Sequence, residues 1–147
     1  MKGKKSNASQ KMTVKNVAQP RRIILLSPWL DLTLNNPDIN TIDSHDPFLG
    51  VPGLRKAALA YAGGHDLRGY MLSPINGPLD GLGEISIFVG SNDILVADTR
   101  RLQVLAKQKG VSVDYHEYRD MVHVWMLLYF RESRQAQEEI KQLLISM

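Results

Sequence analysis

Asp93 and His123 are the two residues of this chain whose types and placement suit proton-transfer chemistry. Asp93 stands in Val89-Gly90-Ser91-Asn92-Asp93-Ile94-Leu95 and His123 in Met121-Val122-His123-Val124-Trp125, each just beyond a strand-like run. A carboxylate bonded to one imidazole nitrogen fixes the tautomer. It also stabilises the imidazolium formed when the other nitrogen takes a proton from a serine hydroxyl. The serine of such a relay sits on a sharp strand-to-helix turn written G-x-S-x-G. No such pentapeptide occurs among the 147 residues. The sequence supplies an acid and a histidine without the nucleophile they would activate.

Each residue also has a plainer reading. An aspartate just ahead of a helix commonly caps it or faces its dipole, and a histidine after a strand commonly bonds its own loop. The specific signal is the pair, in the order acid then histidine. Asp98 and Asp120 are rival acids, but Asp98 falls inside a predicted helix and Asp120 lies three residues before His123 on the same loop. Ser27, Ser73 and Ser91 do not replace the missing nucleophile: Ser27 is followed by Pro28 rather than a helix, and the others lack an elbow. His116 lies within a predicted strand, while His45 and His65 lie in loops with no second ligand at metal spacing. No metal and no cofactor is expected. A small dinucleotide-binding domain is disfavoured, because no glycine-rich phosphate loop follows any strand.

The elements that must position the pair follow from hydrophobic periodicity. Arg22 to Ser27 is a short continuous apolar run closed by Pro28, the pattern of a strand buried on both faces. Residues 28 to 53 are loop-rich, with Asn35-Asn36-Pro37-Asp38 and Asp46-Pro47 as turn signals. Pro52 opens a helix through Tyr61 that Gly63-Gly64 stops. After a second loop stretch, Ile85 to Val89 forms a strand, Ile94 to Lys109 a helix capped by Gly110, and Val111 to Tyr118 a third strand. A last helix runs from about Ser133, with Ala136, Ile140, Leu143 and Leu144 on its apolar face. The run Val124 to Phe130 reads as core. This order predicts a parallel α/β unit. Ligands of such sheets collect at the carboxyl ends of the strands. Neighbouring strands lie about 4.8 Å apart, so loops of this length bring Asp93 onto His123.

Composition narrows the class. The chain is long enough for one domain with a sizeable core. The net charge of +3 owes much to Lys2, Lys4, Lys5, Lys11, Lys15, Arg21 and Arg22, a leader without an acidic residue. Residues 1 to 20 read as a solvated, poorly ordered basic leader with at most a weak helix around Ser9 to Lys15. Beyond it acidic residues outnumber basic ones, so no nucleic-acid partner is expected. The absence of cysteine excludes disulfides, thiolate metal sites and a cysteine nucleophile. No membrane span is expected, since the longest apolar run is only Val124 to Phe130. The expected location is the cytoplasm.

Several segments together resemble a known family. They are Ile24-Leu25-Leu26-Ser27-Pro28-Trp29-Leu30-Asp31-Leu32, Asp46-Pro47-Phe48-Leu49, Tyr61, Ser73-Pro74-Ile75, and the segments around Asp93 and His123. In order and spacing they are similar to the C-terminal half of the hormone-sensitive-lipase-like branch of the α/β-hydrolases, which are serine esterases and lipases. The resemblance covers residues 21 to 147. It implies a partial α/β-hydrolase fold: a three-stranded parallel sheet, the last three of eight strands, with flanking helices. It also implies that Asp93 and His123 match the family's catalytic acid and histidine, and that the substrate is a small-molecule carboxylic ester. The family's His-Gly-Gly-Gly oxyanion motif has no counterpart, Gly63-Gly64-His65 being reversed and misplaced. Without nucleophile and oxyanion donors, the chain alone is expected to hydrolyse no ester at a useful rate. The competing expectation is a non-catalytic interaction module. Its first strand presents an open apolar edge through which it self-associates as a homo-oligomer or pairs with a partner.

Overall fold

The computed structural model describes residues 8–146, and Lys2, Lys4 and Lys5 of the basic leader lie outside the described residues. Helix α1 spans Ala8–Val14. Within it Gln10 is buried and donates from Nε2 to the Pro74 carbonyl at 2.6 Å. The chain then enters β1, Arg22–Leu26, and a loop-rich excursion holding α2, Ile39–Ile42, and α3, Val51–Ala62. Strand β2, Glu84–Gly90, leads into α4, Val96–Gln108, which is followed by β3, Val113–Tyr118, and α5, Arg131–Ile145. Among the described residues, no helix is long and apolar enough to cross a membrane.

The three strands form one parallel sheet in the order β1-β2-β3, with Leu25 opposite Ile87 and Ile87 opposite Tyr115. Period-two alternation divides the central strand between two cores. Ile85, Ile87 and Val89 join Ile94, Leu102 and Ala106 of the α4 side, together with Leu30, Ile39, Leu54, Ile75 and Leu79 from the excursion. Phe88 faces the opposite way, onto Trp125, Met126 and Ala136. From Ile85 onward β2 is buried throughout, as a strand covered on both faces must be, whereas β1 and β3 are largely half-buried edges.

Element ends differ from the sequence expectation where side chains or caps capture backbone groups. The third strand starts at Val113 rather than Val111, because the Val111 N–H returns 2.9 Å to the Ala106 carbonyl. With Gly110 at φ +69°, this closes α4 by a six-to-one bond. Gly63, at φ +55°, ends α3 as expected. The run Val124 to Phe130 divides: Trp125 and Met126 are core, while Leu127, Tyr129 and Phe130 are exposed. Its physical cause is a single 3-10 turn over Trp125–Leu127, which cannot bury successive side chains on one side. Ser133 ties this turn to α5, donating to the Trp125 carbonyl at 2.7 Å and accepting the Phe130 N–H at 3.3 Å.

Candidate active site

Asp93 follows β2 and His123 follows β3, so adjacent parallel strands deliver both to one edge of the sheet. Asp93 is fully buried, and its two oxygens divide the work. Oδ1 accepts the Leu95 N–H at 2.9 Å, in the turn that leads into α4. Oδ2 lies 2.9 Å from His123 Nδ1. Both oxygens are thus engaged, one by the backbone leading into α4 and one by the histidine ring. A carboxylate acceptor at this oxygen requires the hydrogen of the bond to sit on Nδ1, which would leave Nε2 as the ring's acceptor. The His123 side chain is 24% exposed, which leaves the ring within reach of solvent.

Backbone bonds between the two loops hold this pair. The Ser91 N–H donates to the Tyr118 carbonyl and the Asn92 N–H to the Met121 carbonyl, each at 2.9 Å. The Asp120 N–H donates to Ser91 Oγ at 2.8 Å. Such close approach requires glycine at position 90, where a β-carbon would lie 2.1 Å from the Met121 carbonyl oxygen. Asp120 itself is exposed at φ +60°, where it turns the histidine loop. Asp98 is buried on α4, with Oδ1 accepting from Asn36 Nδ2 at 2.9 Å and Oδ2 without a partner. Burial is the main cause that pushes its carboxyl above the ordinary aspartate value.

The three serines weighed as substitutes for the nucleophile are bonded into the framework. Ser91 Oγ serves the loop contact just described. Ser73 Oγ accepts the Leu32 N–H at 2.8 Å and faces the Leu67 carbonyl at 2.6 Å and Asp31 Oδ1 at 3.3 Å. Asp31 also accepts from Thr33 and pairs with Arg101 at 3.4 Å. These bonds join the Trp29-to-Leu32 and Ser73-to-Ile75 segments in one polar knot. Ser27 Oγ accepts the Val124 N–H at 3.0 Å, directly after His123.

Asp46, read from sequence only as a turn signal and a family-like segment, acts at the site's margin. Its Oδ2 accepts the Ile94 N–H at 2.8 Å, while Oδ1 accepts from Phe48 and Leu49 at 2.8 and 2.9 Å. One carboxylate thus shapes its own turn and clamps it beside Asp93. The other histidines occupy different surroundings. His116 stacks on Phe88 at 4.3 Å between ring centroids and lies beside Asp114 and Glu139, while His45 Nδ1 bonds the Thr41 carbonyl. Among the described residues, no group of three His, Asp or Glu is arranged to hold a metal ion. The Arg100 guanidinium of α4 holds the Glu117 carboxyl of β3 below its ordinary value.

Comparison with known proteins gives this arrangement a lineage. The family model of the alpha/beta hydrolase fold matches residues 5–127. An acetyl-hydrolase from Streptomyces hygroscopicus is 35% identical over 106 residues, covering 72% of this chain and 36% of its own length. An esterase from Acinetobacter venetianus is 31% identical over 131 residues, covering 87% of this chain and 43% of its own. The chain thus spans less than half the length of these relatives. The crystal structure of an esterase from the bacterial hormone-sensitive lipase family superposes with a TM-score of 0.88 at 29% identity, covering 93% of this chain and 47% of that one. The chain belongs to the α/β-hydrolase family, in its hormone-sensitive-lipase-like esterase branch, and carries part of that fold.

Proposed function

We propose that this chain carries the acid–base half of a serine carboxylesterase relay. In this reading, the nucleophile and oxyanion donors come from a segment outside these 147 residues. The observation that carries the reading is the 2.9 Å contact between His123 Nδ1 and the buried Asp93 carboxylate, at the strand ends of an esterase-family sheet. His123 Nε2 takes the proton of the attacking serine as its Oγ bonds to the ester carbonyl carbon. Asp93 stabilises the resulting imidazolium and keeps the ring oriented. The imidazolium then gives its proton to the departing alkoxide, leaving an acyl-serine. A water molecule repeats the cycle, with His123 again as base, and releases the carboxylic acid. The names of the acetyl-hydrolase and esterase relatives support a small-molecule ester as substrate.

The test is co-expression of this chain with a family segment that carries the G-x-S-x-G turn and the oxyanion donors, assayed on p-nitrophenyl esters. Saturable turnover that depends on both His123 and the partner's serine supports the reading. Turnover indifferent to His123→Ala refutes it.

One observation favours a second reading, a non-catalytic interaction module. Among the described residues strand β1 pairs only with β2, which leaves the other edge of Ile23 to Leu26 without a strand partner and its residues half-buried. An edge without proline, lysine or a bulge readily accepts another strand. Size-exclusion chromatography separates the readings: a concentration-dependent dimer favours self-pairing, and a clean monomer argues against it.

A further inference from the structure

We propose that Ser27 is a positioning residue for His123, holding the imidazole on its carboxylate through the backbone that follows it. The inference rests on the relay reading of Asp93 and His123. It adds a third strand to the machinery that builds the pair.

Ser27 occupies a conformation that its sequence does not favour. It lies at φ +43°, in the left-handed region where L side chains crowd the backbone. It also precedes Pro28, and a residue before proline normally takes the extended region. Glycine would relieve the crowding at the β-carbon. Serine brings instead a hydroxyl, buried with its residue only 4% exposed, that accepts the Val124 N–H at 3.0 Å. The Ser27 N–H continues the β1–β2 ladder by donating to the Phe88 carbonyl at 2.8 Å, so the residue that offers this acceptor is fixed to the sheet.

Val124 is equally unusual, a β-branched residue at φ +46°. Its N–H belongs to the peptide joining it to His123, so fixing that hydrogen fixes the plane on the C-terminal side of the histidine. On the N-terminal side, the Met121 carbonyl and the Asp120 N–H are bonded to Asn92 and Ser91 of the acid loop. His123 is held between two anchors, one on the loop after β2 and one at the end of β1. The Ser27 hydroxyl supplies the second. Without it, the left-handed turn at Val124 loses a compensating bond and relaxes toward negative φ, rotating the His123 α-carbon relative to Asp93.

The test reads the pair directly in the purified chain, by proton and nitrogen NMR of histidine-labelled protein, with His123→Gln to assign the signal. The wild type is expected to show a slowly exchanging, far-downfield Nδ1 proton from the His123–Asp93 bond. Two variants remove the hydroxyl: Ser27→Ala keeps the β-carbon at positive φ, while Ser27→Gly relieves it. Ser27→Gly is expected to be the more stable of the two in thermal unfolding, yet to lose or broaden the downfield proton as Ser27→Ala does. A Ser27→Gly protein that is folded and keeps the sharp downfield proton overturns the proposal. If the wild type itself lacks the signal, the relay reading falls first, and the Ser27 role with it.

Discussion

The α-carbon of Gly90 packs against the carbonyl of Met121 so closely that a methyl group there would lie 2.1 Å from the oxygen. Gly90 ends β2 three residues before Asp93, and Met121 lies two residues before His123. The approach of these two backbones sets the separation of the candidate acid and base. Gly90→Ala forces the loops apart. It should cost about 3 kcal/mol of folding stability, the upper range for overpacking a tight site, read as a shift of the urea midpoint at unchanged slope. A midpoint equal to wild type would show that the loops can separate freely.

Asp93 has to accept two hydrogen bonds, one from Leu95 N–H and one from the histidine ring. Asparagine offers one acceptor and one donor. If the acceptor stays on Leu95, the amide donates to Nδ1 and drives the hydrogen to Nε2, the tautomer that cannot accept the serine proton. In the reconstituted esterase, Asp93→Asn should lower kcat by roughly 10⁴-fold near neutral pH with little change in KM. Loss confined to KM would assign Asp93 to substrate binding instead.

The Asp98 carboxyl is raised chiefly by its burial, with nearby Asp31 contributing in the same direction and Asn36 and Arg101 opposing. The folded state therefore binds this proton more tightly than the unfolded chain. Its contribution to stability is fully present below the ordinary aspartate range and is lost as pH rises through the folded value. Asp98→Asn removes the ionisation while keeping an oxygen for Asn36. The variant should be more stable than wild type at about pH 7, with the advantage shrinking toward about pH 4. Paired denaturation curves at the two pH values check this, and a variant less stable at neutral pH contradicts it.

Asp46 joins a loop to the segment that carries Asp93. Its three bonds reach Phe48, Leu49 and Ile94. Asp46→Ala leaves these amides without their acceptor and should cost about 1 to 3 kcal/mol. Amide hydrogen exchange should show faster exchange at Leu49 and Ile94 while the amides of β2 remain protected. Uniform loss of protection would mean that Asp46 supports the whole fold rather than this junction.

Much of this arrangement was legible in the sequence, because Asp93 and His123 follow strands whose apolar runs are short and unambiguous. Parallel pairing of those strands then places the two loops side by side. Less visible were residues whose partners are backbone groups far along the chain. Asp46 bonds a backbone amide 48 residues away, and Ser27 one that is 97 residues away. Local periodicity carries no trace of such bonds, and Ser27 before a proline gives no hint of a positive φ. The apolar run after His123 departs from the core expectation for a related reason. Hydrophobicity alone does not reveal that a 3-10 turn buries Trp125 and Met126 and turns Leu127 outward.

In the proposed relay, Asp93 and His123 serve a serine carried by another segment. Initial rates of p-nitrophenyl butyrate hydrolysis measure this most directly, for the purified chain and for the chain co-expressed with the nucleophile-bearing family segment. The chain alone should show no saturable turnover beyond that of its His123→Ala variant. The reconstituted pair should show saturable turnover that His123→Ala abolishes. Saturable hydrolysis by the chain alone, removed by His123→Ala, would contradict the claim by placing a nucleophile within these residues.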